Sequence, residues 1–161
     1  MGPLLFTLGA ALLGTLAGWA GHWALHHSGS RTLHRAHMTH HRLYPPRSLR
    51  SDAYRKAGKD DTLFVLAPLV AVVIGLYLLL MSFLQATWLD FATVITASLV
   101  VGIAHEWLHE AFHLEVHWLS RFAWFQQLRA GHFMHHRHPK KNLGIITMLW
   151  DRLLGTYRRG G

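Results

Sequence analysis

Trp88-Leu-Asp-Phe-Ala-Thr-Val-Ile-Thr-Ala-Ser-Leu-Val-Val-Gly-Ile-Ala-His105-Glu-Trp-Leu-His109-Glu-Ala-Phe-His113 starts apolar and ends rich in imidazole. Phe91 to Ala104 carries no charge. Counted from Trp88 to His109, the segment reaches the ~20 residues that a helix needs to cross a bilayer core. His105, His109, His113 and His117 recur at intervals of four, which on a helix places them along one face. A membrane helix that delivers a row of imidazoles to one side of the bilayer is the element around which the rest of the chain is read.

Two further blocks have the same apolar character, Pro3 to Leu25 and Thr62 to Leu89, both without charge. The first has the length of a signal peptide, but it lacks a basic leading region and runs directly into His22 and His26, so it reads as a span. The fold expected is all-α: an integral membrane helical bundle of about three transmembrane helices with a cytosolic histidine-rich cap. The 161 residues (1–161) suit a single domain. Gly9, Gly14, Gly18 and Gly21 suit close helix packing in lipid. Tyr44-Pro45-Pro46 ends the helix carrying His34 to His41. Gly58 to Asp61 reads as a linker and cap, and Gly131 as an interruption just before the last histidines.

Charge orients the bundle. Of 16 Lys and Arg residues, eight lie between Arg31 and Lys59 and eight between Arg121 and Arg159, with none in the Ser82–Asp90 connection. The positive-inside rule makes both basic segments cytoplasmic. The net charge of +8 flanks spans, so it reads as attraction to anionic lipid rather than as a nucleic-acid surface. Half the residues are hydrophobic (51%) and only 15% charged, which excludes a disordered chain. Cysteine is absent, which excludes disulfides, thiolate metal sites, a cysteine nucleophile and iron–sulfur clusters.

Fifteen histidines stand against that absence. Four groups matter: His22 with His26; His37, His40 and His41; His109 with His113; and His132, His135 and His136. Spacings of three and four put two or three imidazoles on one helix face, and adjacent histidines diverge by about 100°, enough to serve two neighbouring ions. All four groups fall on the side that Lys and Arg alone mark as cytoplasmic. These ten histidines are the candidate metal ligands, and imidazole suits Fe, Zn, Cu and Ni. His27 is a substitute for His26, His105 and His117 could shift the third pair by a turn, and His34 and His138 are spare ligands or hydrogen-bonding supports. His105-Glu106-Trp107-Leu108-His109 also spells H-E-x-x-H, so an intramembrane zinc metalloprotease is a rival reading, and a non-catalytic metal carrier a third.

In order and spacing, the boxes resemble those of the fatty acid hydroxylase or sterol desaturase superfamily: H-x(3 or 4)-H, H-x-x-H-H, H-x-x-x-H, H-x-x-H-H, with a membrane hairpin between the second and third. Glu106 to His113 resembles the bacterial form of the third box, and Asn142 to Thr156, with Trp150-Asp151 and Gly155-Thr156, resembles the closing segment of that domain. The likeness covers about His22 to Thr156. The chain looks like a minimal member lacking an extra amino-terminal span. Between the third and fourth boxes, Trp118, Phe122, Trp124 and Phe125 read as an interfacial helix with its aromatics at headgroup level.

The resemblance implies a di-iron oxidoreductase that hydroxylates or desaturates an unactivated C–H bond of a lipid, such as a fatty acyl chain or a sterol or isoprenoid. It implies two iron ions as cofactors, a site zinc can fill in a purified protein, and O₂ as co-substrate. The implied partners are a bilayer lipid as substrate and an electron donor such as a ferredoxin or cytochrome b5-like protein with its reductase. The basic cytosolic face suits an acidic donor. No Gly-rich nucleotide motif is present, so a separate reductase would take up any NAD(P)H. The expected location is a membrane of bacterial inner-membrane type with the site on the cytoplasmic face, and no nucleic acid is involved.

Overall fold

The computed structural model describes residues 3–27, 31–57 and 62–159, so the expected linker at Gly58 to Asp61 lies outside the described residues. Among the described residues six α-helices follow one another: α1 (Pro3–His27), α2 (Arg31–Leu43), α3 (Thr62–Phe83), α4 (Trp88–Phe112), α5 (Ala123–Arg137) and α6 (Leu149–Leu153), with a 3₁₀ turn at Trp118–Arg121. No strand occurs among the described residues. One parallel bridge, Ser51 with Leu114, ties the segment after α2 to the end of α4.

Leu4–His27 and Trp88–Phe112 are long and apolar enough to cross a membrane, and only 28% and 17% of their most apolar windows are buried within the protein. A core helix of a water-soluble fold would show the reverse. Leu8, Leu12, Leu99 and Ile103 face outward, where lipid can meet them. The hairpin between α3 and α4 turns at Leu84 and Gln85, with Gln85 in the left-handed region at φ 54°. Thr87 then caps α4. The Thr87 backbone N–H donates to the Asp90 carboxylate (2.8 Å) and the Asp90 N–H donates back to Thr87 Oγ1 (3.3 Å), a reciprocal capping box.

α1 lies along α4, and their closeness depends on side-chain size. A Cβ at Gly18 would stand 2.9 Å from the His105 ring, so glycine sets the helix spacing there. Phe6, Ala10, Met81 and Val94 pack α1, α3 and α4 together at the end away from the histidines. Beyond the other end, Leu108, Ala111 and Phe112 of α4 meet Leu119, Phe125 and Ile145 in a second core. α2 stops at Leu43 because Pro45 has no N–H and disfavours helix at Tyr44.

Two local expectations change. Gly131 does not interrupt α5, which runs through it. The Met148 side chain occupies the space a Cβ at position 131 would need, so the residue serves close approach rather than helix ending. The aromatic stretch is not one interfacial helix but the 3₁₀ turn followed by the start of α5. Trp118 and Trp124 are exposed, whereas Phe125 is buried against Phe112 at a centroid distance of 5.2 Å.

Candidate metal centre

Four helices deliver the ten candidate imidazoles to one place. The last turns of α1 carry His22 and His26, and α2 carries His37, His40 and His41. The end of α4 supplies His109 and its C-cap His113, and α5 supplies His132, His135 and His136. They sort into two clusters. His40, His109, His113, His132 and His136 form a five-ring cluster, and His22, His26, His37 and His135 a four-ring cluster; within each, the ligand nitrogens lie within 4.8 Å of one another. His41 joins the two. Its Nε2 lies 3.1 Å from that of His37 and 3.2 Å from that of His135, and its ring stacks on His136 at 4.3 Å.

The adjacent pair His135 and His136 divides between the clusters, as a 100° divergence on a helix allows. The substitute candidates lie elsewhere. His27 is exposed and bonds the Trp23 carbonyl (3.0 Å), and His34 is exposed and bonds the Leu25 carbonyl (3.2 Å). His105 is buried beside Gly18, outside both clusters. His117 caps the 3₁₀ turn, accepting from the Leu119 N–H, and His138 caps α5 through its backbone.

Backbone carbonyls aim the rings, which histidine spacing alone does not reveal. In the five-ring cluster, His113 Nδ1 donates to Leu49 O (2.7 Å) and His136 Nδ1 to Tyr44 O (2.9 Å). In the four-ring cluster, His22 Nδ1 donates to Leu143 O (2.7 Å) and His135 Nδ1 to Lys141 O (3.0 Å). Each cluster therefore leans on its own strap, residues 44–49 for one and 141–143 for the other. The second strap is held by Asp151, a fully buried carboxylate. It accepts from the N–H groups of Leu143 and Gly144 (both 2.8 Å), from Thr156 Oγ1 (2.6 Å) and from Trp19 Nε1 (3.3 Å).

Those bonds also fix the tautomers. A carbonyl only accepts, so Nδ1 of His22, His113, His135 and His136 carries the proton and each Nε2 presents a lone pair inward. His132 Nε2 stands 2.8 Å from His113 Nε2 and 3.1 Å from His136 Nε2, between two such lone pairs. The Nε2 of His109 is buried without a hydrogen-bond partner. Converging lone pairs on buried nitrogen are mutually repulsive until a cation lies among them, so these residues fit a metal centre of nitrogen ligands.

Burial first, and neighbouring imidazoles second, hold His37, His40, His132 and His135 well below the ordinary histidine range. Burial takes His41 down to about 3 and His113 to about 4. The rings are thus neutral near pH 7, the form that binds metal. Tyr44 completes the wall, its ring stacked on His113 at 3.9 Å.

The model of one protein family, fatty acid hydroxylase, matches residues 7–156. No curated protein and no solved structure matches the chain.

Proposed function

The chain belongs to the fatty acid hydroxylase family, and from that premise we propose that it is a membrane-embedded, O₂-dependent hydroxylase or desaturase of lipid whose ten clustered histidines hold two iron ions. The observation that carries the proposal is the pair of imidazole clusters at the ends of apolar helices. Iron bound there supplies oxidation of an unactivated C–H bond with O₂, to an alcohol or an alkene. The chain's own groups prepare that chemistry. The carbonyls of Tyr44, Leu49, Lys141 and Leu143 aim four rings. Phe112, fully buried beside His132 and backed by buried Phe125, keeps water from the five-ring cluster.

In this reading α1, α3 and α4 all cross the bilayer, residues 1–161 form one domain, and the histidines lie at the cytoplasmic face of a bacterial inner membrane. The substrate chain enters from the bilayer, and electrons arrive from a ferredoxin or cytochrome b5-like donor at the basic surface. The H-E-x-x-H reading gains no support from the geometry, because His105 stands outside the cluster containing His109. The test is metal analysis of the purified chain together with lipid profiling of expressing cells supplied with a donor. About two iron ions per chain and a new hydroxylated or unsaturated lipid are expected. Metal uptake without O₂ consumption or product would overturn the reading in favour of a carrier.

A further inference from the structure

A groove of about 790 Å³ lies between α5 and the C-terminal segment, with no histidine in its lining. One part of its wall is apolar, formed by Trp124, Leu128, Ile146 and Met148. The other part is cationic, formed by Arg152, Arg158 and Arg159, and among the described residues no acidic side chain lines it. The cationic part is anchored. Buried Asn142 donates through Nδ2 to the Arg158 carbonyl (2.9 Å) and accepts from the Arg158 N–H (2.8 Å), while the Arg152 guanidinium lies 5.0 Å from the centre of the Tyr157 ring.

The surroundings matter as much as the groove. Trp124, Leu149, Leu153 and Leu154 are exposed although they lie outside the membrane-spanning helices. Large apolar side chains beside arginines, outside the spans, are the composition of a surface lying in the headgroup layer. There apolar groups dip toward acyl chains while guanidinium groups stay at phosphate level. Uncompensated cations call for an anion, and the apolar wall calls for hydrocarbon joined to it. Basic pockets on the cytoplasmic side of membrane proteins take lipid headgroups on the same principle.

We propose that this groove binds an anionic membrane phospholipid, its phosphate on Arg152 and Arg158 and its first acyl carbons against Leu128, Ile146 and Met148, seating the C-terminal segment on the bilayer. The proposal rests on the chain lying in a membrane and is independent of metal in the histidine clusters.

The test is native mass spectrometry of the full chain in detergent, titrated with phosphatidylglycerol, phosphatidylcholine or glycerol 3-phosphate. Phosphatidylglycerol should bind selectively, and R152Q/R158Q should weaken it roughly 30-fold. A130W, which fills the groove without changing charge, should weaken it as well. R35Q/R47Q removes the same charge elsewhere and should leave binding within about twofold. Equal retention of phosphatidylcholine, or equal losses in the two arginine pairs, would overturn the proposal in favour of diffuse attraction. Glycerol 3-phosphate binding as tightly as the lipid would overturn it in favour of a simple phosphate site.

Discussion

The two imidazole clusters share their chemistry and differ in their support. The five-ring cluster is closed: its rings are all buried, and its strap is pinned to α4 by the Ser51–Leu114 bridge. The four-ring cluster is more open. His26 is only partly buried and lines a groove with Arg137, Lys140 and Lys141, and its strap belongs to the C-terminal segment. One site is thus built into the helix bundle, while the other is completed by a segment folded back onto it. Two ions in such surroundings would not be held equally.

The sharpest way to break that distinction is ligand deletion. His109→Ala removes a ring from the closed cluster alone, so bound metal should fall by about half, with lipid oxidation abolished. Loss of all metal would instead make the two clusters one cooperative unit. Next in size is Asp151→Asn. It takes a charged acceptor from two backbone N–H groups, a hydroxyl and an indole, and should cost about 3 kcal/mol while emptying the open cluster first. Metal counts together with thermal unfolding would show this, and preferential loss from the closed cluster would contradict it.

Chelator treatment of the wild-type chain sharpens the same point kinetically. Metal release should be biphasic, the fast phase belonging to the cluster with the part-exposed His26; a single phase would erase the difference. A smaller effect is expected for Tyr44→Phe. It removes the hydroxyl that accepts the Arg55 N–H but keeps the carbonyl and ring that support His136 and His113, so stability should drop by about 1 kcal/mol with metal content unchanged. Smallest of all is Glu106→Gln. Lipid oxidation should persist, because the partner it would need for a protease, His105, stands outside the cluster; lost activity with intact metal would revive a direct role for Glu106.

Helices and boxes were legible in the sequence because both rest on short-range periodicity. A spacing of three or four sets which imidazoles share a face, and an uncharged run sets which helices can meet lipid. The grouping of boxes was not legible. His40 joins His109 and His132 rather than its neighbour His37, which depends on how α2 packs against α4 and α5. The straps were invisible for another reason: Leu49 and Leu143 act through carbonyls, which every residue type has. Asp151 stood out only within a recognisable closing segment, whose spacing gives no hint that it grips the loop behind His22. Gly131 misled because its signal, a missing side chain, is the same for a helix end and for close packing.

The bonds joining the two ends of the chain carry a consequence for biosynthesis. Trp19 reaches Asp151 and Trp150 reaches Thr15, across 132 and 135 residues. At ribosomal speed, on the order of ten seconds separates the emergence of α1 from that of Asp151. For most of that interval His22 has neither its strap nor His135 beside it. The open cluster is therefore completed late, after the closing segment has been made. Metal could be held there only once the segment around Asp151 has been made, which ties filling of that cluster to synthesis of the closing segment.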